Sequence, residues 1–175
     1  MAKIKICGLK SIEDISYVND AKADYAGFIF AENSKRCISV DIAKQMKQKL
    51  SKNIKSVGVF VNQEITAIKE IAKQKIIDMI QLHGNETNEY IKMIKEETGL
   101  AVIKAFRADE NLKNNIENII ADYILIDSSN GSQFGGTGNV FDYSLIPETN
   151  KPIFLAGGLN AQNITKALKI NPAGG

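Results

Sequence analysis

Lys5-Ile6-Cys7-Gly8-Leu9-Lys10-Ser11, near the start of the 175-residue chain, runs a short apolar strand into a glycine turn and on into a helix start. An open nucleotide-binding sheet carries its glycine-rich fingerprint at this junction, and neither GxGxxG nor a Walker motif is present. A thiol stands there instead. Gly, Asn, Asp or Ser would suit the turn better than cysteine, and the strand end is where an α/β barrel places its reacting groups. The junction therefore favours a barrel over an open sheet.

Working outward, the rest of the chain repeats the same unit. Short β-branched runs at Lys3 to Cys7, Tyr25 to Phe30, Ser56 to Val61, Met79 to His83, Ala101 to Phe106, Tyr123 to Asp127 and Pro152 to Ala156 read as seven strands. Amphipathic, Lys/Glu-rich segments lie between them, at Ile12 to Asn19, Ile42 to Leu50, Ile65 to Lys75, Glu86 to Glu97, Glu110 to Ile120 and Asn163 to Ile170, with a shorter stretch at Val140 to Leu145. Ser11-Ile12-Glu13-Asp14 is a capping-box variant and Thr98-Gly99 a helix stop. Alternating βα units with no linker or low-complexity tract predict one domain over 1–175, a TIM (β/α)8-type barrel. The eighth unit has no counterpart: Asn171-Pro172-Ala173-Gly174-Gly175 reads as the loop into one more strand, so a barrel truncated at its C-terminus is expected.

Composition narrows the function. The chain is 44% apolar and 24% charged with a net charge of +2, and it lacks the basic stripe or aromatic-rich strand that nucleic-acid binding needs. Cys7 and Cys37 lack CxxC spacing, and one histidine, His83, cannot build a histidine-rich metal centre with them. No stretch approaches the roughly 20 apolar residues of a membrane span. The expectation is a cytoplasmic protein with reduced thiols, no metal, and no nucleic-acid or membrane partner.

Side chains alternate along a strand, so Lys3, Lys5 and Cys7 share one face and Ile4 and Ile6 the other, which meets the helices. The same parity puts Gln81 and His83 on the inner face of the fourth strand, Lys104 on that of the fifth, and Asp127 at the inner end of the sixth. Cys7 is then a candidate nucleophile or general base, since a thiol of pKa about 8.5 needs only modest cationic help to work as thiolate; otherwise it is a small buried hydrophobe. Asp127 opens Asp-Ser-Ser-Asn-Gly and either closes an Asx turn or donates a proton to a leaving oxygen. Arg36, in the loop after the second strand, is a solvated cation or a fork for a carboxylate or phosphate. His83 reads as a positioning or turn residue. Gly135-Gly136-Thr137-Gly138 reads as a mobile lid or a plain connection. Gly157-Gly158-Leu159-Asn160 after the seventh strand is an ordinary turn or a backbone cradle for phosphate.

In this order the motifs resemble the phosphoribosylanthranilate isomerase family of tryptophan biosynthesis. The matching runs are Lys5 to Gly8, Phe30 to Arg36 with its Ser34-Lys35-Arg36 core, Gly58 to Asn62, Gln81-Leu82-His83-Gly84, Asp127, Gly135 to Gly138 and Leu155 to Asn160. The resemblance implies an Amadori rearrangement of a phosphorylated small molecule without cofactor or metal, by a monomer or homodimer. It implies Asp127 as general acid on the furanose ring oxygen and Cys7 as base at the sugar C2, with Arg36, His83, Gly136, Gly157 and Gly158 around the substrate. It also implies that the rest of the phosphate grip belongs to an eighth unit beyond Gly175. Two other readings stand beside it: another phosphosugar barrel, such as indoleglycerol-phosphate synthase, for which Lys104 is the candidate amine, or a non-catalytic barrel fragment that binds phosphate.

Overall fold

The computed structural model describes residues 3–127, 146, 149–160 and 162–165. Seven parallel strands follow one another in space as in sequence: β1 (Lys5–Cys7), β2 (Tyr25–Ile29), β3 (Lys55–Phe60), β4 (Met79–Leu82), β5 (Ala101–Arg107), β6 (Tyr123–Asp127) and β7 (Ile153–Ala156). The connecting helices are α1 (Ile12–Asp20), α2 (Val40–Lys49), α3 (Ile65–Lys73), α4 (Asn88–Thr98) and α5 (Leu112–Glu117). Each predicted strand is present within two residues of its expected ends. The segment at 163–170 is described only in its opening turn, and Val140 to Leu145 lies outside the described residues.

The helices begin and end where the sequence marks them. Ser11 accepts from the Asp14 N–H at 3.1 Å while Asp14 accepts from the Ser11 N–H at 3.0 Å, a complete capping box. Ser39 and Thr87 cap α2 and α4 by accepting from the N–H groups of Ile42 and Tyr90. Gly99 closes α4 with φ +67°, a conformation that costs glycine little.

The sheet is curled. Tyr25 on β2 and Phe154 on β7 meet edge to face, with ring centroids 5.2 Å apart, although five strand spacings in a flat sheet would separate them by about 24 Å. Around them Val57, Met79, Ile103, Ala105 and Leu125 fill the interior, one inward residue after another at period two. The opposite faces of the same strands, with Phe28, Phe60, Ile80 and Val102, pack against Ile15, Ile68, Ile91 and the other apolar faces of the helices. Among the described residues β1 and β7 form the two ends of the sheet.

A repeated device fixes the strands at the end of the barrel where they begin. Asp24, Asp78 and Asp122 each immediately precede an even-numbered strand, and each accepts from a backbone N–H in or directly before the preceding odd one: Ile4 at 2.8 Å, Ser56 at 2.8 Å and Val102 at 2.9 Å. Two of the three also take a helix lysine, Lys47 of α2 on Asp78 and Lys95 of α4 on Asp122. A one-residue slip would break every clamp and turn the interior residues outward.

This register corrects one expectation. Gln81 pairs with Ile103 and Leu82 with Lys104, so Ile103, Ala105 and Arg107 face inward and Lys104 lies on the helix side. The apolar residues win the interior because Lys104 has partners on the other face, described below.

Candidate active site

Cys7 is the last residue of β1 and half-buried on its inward face. Its partner on β2 is Gly27, where a β-carbon would come within 2.6 Å of the Cys7 sulfur. Glycine makes the space that the thiol occupies. Gly8 then turns the chain with φ +87°, and the Arg36 guanidinium lies against its bare α-carbon, so that a β-carbon there would meet Nη1 at 2.5 Å. Arg36 Nη1 donates to the Cys7 carbonyl at 3.1 Å. The exposed loop cation of the β2–α2 connection is thereby held beside the thiol.

A second group forms at the ends of β4, β5 and β6. Asp127 ends β6 on the inward face, opposite Arg107 of β5 and Ala156 of β7. His83, one residue past β4, places Nε2 3.4 Å from Asp127 Oδ2. Its other nitrogen, Nδ1, lies 2.9 Å from Gln81 Nε2. His83, Arg107 and Asp127 border a cleft of about 620 Å³ that also takes in Asn85, Asp109 and Asn115. Gln81 is 2% exposed, and its Oε1 is a buried side-chain oxygen without a hydrogen-bond partner among the described residues, a cost a purely structural position rarely carries.

Beneath this cleft sits a buried ion pair. Lys104 and Glu86, with side chains only 4% and 1% exposed, approach to 3.1 Å. The ammonium also donates to the carbonyls of Gly84 at 2.7 Å and Ala105 at 3.1 Å and lies over the Phe106 ring. The Glu86 carboxylate accepts from the N–H groups of Asn62 at 2.8 Å and Gly84 at 2.9 Å. Every partner a buried charge needs is present, and the loops after β3 and β4 are tied together under His83. Lys104 thus has no free amine at the mouth, which removes the feature that spoke for a lysine-dependent barrel enzyme.

After β7 the chain turns through Gly157 at φ +88° and Gly158 at φ +61°. Asn160 Oδ1 accepts from the N–H groups of Gln162 and Asn163, and Asn163 Oδ1 accepts from the Asn160 N–H. This reciprocal cap opens a helical turn directly behind the glycines. The Gly135 to Gly138 stretch, with Gly136, lies outside the described residues.

The structure therefore gathers the predicted residues in two pairs, Arg36 with Cys7 and His83 with Asp127, and puts Gly157 one position beyond the β7 partner of Asp127. Sequence reading missed Arg107 and the Glu86–Lys104 pair. Arg107 was within reach: it is two residues past Ala105 on the same face, once β5 is read to its true end. The ion pair had no local signal, because its partners are 18 residues apart, Glu86 on the connection after β4 and Lys104 within β5. Among the described residues no three His, Cys, Asp or Glu side chains gather as a metal ion would require, and no helix is long and apolar enough to cross a membrane.

Residues 4–175 match the family model for N-(5'phosphoribosyl)anthranilate (PRA) isomerase. The N-(5'-phosphoribosyl)anthranilate isomerase of Endomicrobium trichonymphae is 46% identical over 173 residues, covering 98% of this chain and 85% of that one. The crystal structure of phosphoribosyl anthranilate isomerase from Thermotoga maritima superposes with a TM-score of 0.86 at 34% identity, over 97% of this chain and 83% of the other. A phosphoribosyl anthranilate isomerase in complex with reduced 1-(o-carboxyphenylamino)-1-deoxyribulose 5-phosphate gives a TM-score of 0.78 at 29% identity, over 97% and 82%.

Proposed function

The chain belongs to the N-(5'-phosphoribosyl)anthranilate isomerase family, and from that membership we propose how its own residues perform the rearrangement. It is an isomerase of tryptophan biosynthesis, converting N-(5-phosphoribosyl)anthranilate to 1-(2-carboxyphenylamino)-1-deoxyribulose 5-phosphate. We assign Asp127 as the general acid. It gives its proton to the furanose ring oxygen as the C1–O bond breaks, and the anthranilate nitrogen lone pair forms the iminium at C1. Cys7, as thiolate, takes the proton from C2; the C2–H electrons form the C1–C2 double bond and neutralise the iminium. The resulting enolamine tautomerises to the ketone. A strong acid suits the oxygen leaving group, and a soft, moderately basic thiolate suits a carbon acid activated by the iminium.

The observation that carries this reading is the placement of Cys7 and Asp127 as the inward-facing last residues of β1 and β6. Groups on separate strand ends can address adjacent atoms of one substrate from two sides. Arg36, beside Cys7, holds the anthranilate carboxylate, and the Gly157-Gly158 turn offers backbone N–H groups to the phosphate. His83 borders the substrate beside Asp127, and Gly136 contributes from the β6–β7 connection. We take the enzyme to act in the cytoplasm as a monomer or homodimer, in one barrel domain.

The test is consumption of freshly made phosphoribosylanthranilate, followed by its anthranilate-type fluorescence. It is run with the 175-residue chain and with the chain joined to the C-terminal βα unit of the Endomicrobium trichonymphae relative. Turnover by at least one form supports the reading, and turnover by neither removes it.

A further inference from the structure

The single histidine of the chain touches two groups whose demands agree. At Nδ1, 2.9 Å away, is the amide nitrogen of Gln81, which can only donate. At Nε2, 3.4 Å away, is a carboxylate oxygen of Asp127, which favours a proton on the nitrogen that faces it. An imidazole satisfies both in one state, neutral, with its proton on Nε2. Turning the Gln81 amide over would place its oxygen at Nδ1 and strand a buried NH2 with two donors where a single carbonyl oxygen now lacks a partner.

We propose that Gln81 is a positioning residue that holds His83 as the neutral Nε2–H imidazole beside Asp127, an inference that rests on the reading of Asp127 as general acid. An imidazolium at this distance would favour the carboxylate before the reaction begins and leave no proton to give. A neutral ring leaves Asp127 able to carry the proton, then donates its N–H to the carboxylate once the proton has passed to the ring oxygen. The amide donor at Nδ1 is what selects this tautomer. Among the described residues, the other charged groups lining the cleft with the ring are Arg107 at the end of β5, Asp109 after it, and Lys104 and Glu86, which neutralise each other. On the β3 side the register partner of Gln81 is Val59, which carries no charge.

Because His83 is the only histidine, a long-range 1H–15N correlation spectrum of the labelled protein reads this ring alone. At a pH above the ring's titration, the expected pattern is a protonated Nε2 and a bare Nδ1. Gln81→Glu puts an acceptor at Nδ1, so the ring should gain a proton there, titrate about one pH unit or more higher, and lower kcat about tenfold with little change in KM. Gln81→Met should give mixed tautomers. A proton on Nδ1 in the wild type, or a Gln81→Glu ring that keeps the wild-type tautomer and titration, overturns the proposal. If the buried substitutions do not fold, the wild-type spectrum decides alone. The spectrum reads the tautomer directly, so its failure is separate from a failure of the acid assignment, which appears only in the turnover of Asp127→Asn.

Discussion

Gly27 on β2 stands so close to Cys7 on β1 that a β-carbon there would lie 2.6 Å from the sulfur and 3.0 Å from the Cys7 α-carbon. The bare α-carbon is the wall against which the thiol is set. One contact is with a side chain that can rotate and the other with backbone, so an added methyl would displace the sulfur before anything else.

Gly27→Ala is therefore expected to lower kcat about 100-fold through misplacement of the base, with a stability loss of about 1–3 kcal/mol from overpacking. Steady-state kinetics on folded protein checks it. A variant with normal kcat would mean that the thiol position does not limit the reaction.

Arg36 is held beside Cys7 through its hydrogen bond to the Cys7 carbonyl and takes no part in either proposed proton transfer. Arg36→Ala should raise KM at least about tenfold and leave kcat nearly unchanged. Arg36→Lys should recover little, since an ammonium cannot make the two-point contact with a carboxylate. An unchanged KM in the alanine variant would count against the clamp.

The Lys104–Glu86 pair is almost fully buried, with side chains 4% and 1% exposed. Lys104→Met should destabilise the fold by about 3–5 kcal/mol, because Glu86 is left as a buried charge without its counterion. Urea unfolding measures this directly. A loss below about 1 kcal/mol would show that the pair is better solvated than its burial indicates.

The strand clamps predict the acid limb of stability. For Asp78, burial alone would raise the carboxyl pKa, but Lys47 and the Ser56 N–H and hydroxyl together hold it below 3.8. Asp122 is lowered in the same way, burial opposing and Lys95 with the Val102 N–H prevailing. A folded pKa below the unfolded one contributes stability that is present above pH 3.8 and is lost as pH falls through the lowered folded value. Urea midpoints should hold steady down to about pH 5 and fall below about pH 4, with a shallower fall in Asp78→Asn. An identical acid limb in that variant would place the proton uptake elsewhere.

How far the sequence could be read follows from what each feature depends on. The strands, the Ser11 capping box and the Gly99 stop depend on neighbours within four residues, and period-two alternation carried Cys7, Gln81, His83 and Asp127 to the correct face. Lys104 falls on the helix side because Ile103 and Ala105 take the interior. The contact of Arg36 with the Cys7 carbonyl and that of His83 with Asp127 join residues 29 and 44 positions apart. The pairing of β1 with β2 creates the first, and the register of β4, β5 and β6 the second. Gly27 was legible as a strand glycine, but its purpose appears only once Cys7 is seen against it.

The assignment of Cys7 as base and Asp127 as acid is tested most directly by the turnover of freshly made phosphoribosylanthranilate by Cys7→Ser and Asp127→Asn, in whichever form of the wild-type chain is active. Both variants keep the shape of the side chain and remove its proton chemistry. Each should turn over about 100-fold or more slowly than the wild type at saturating substrate, with the fold intact by circular dichroism. Wild-type rates in either variant would contradict the role given to that residue, and wild-type rates in both would contradict the mechanism.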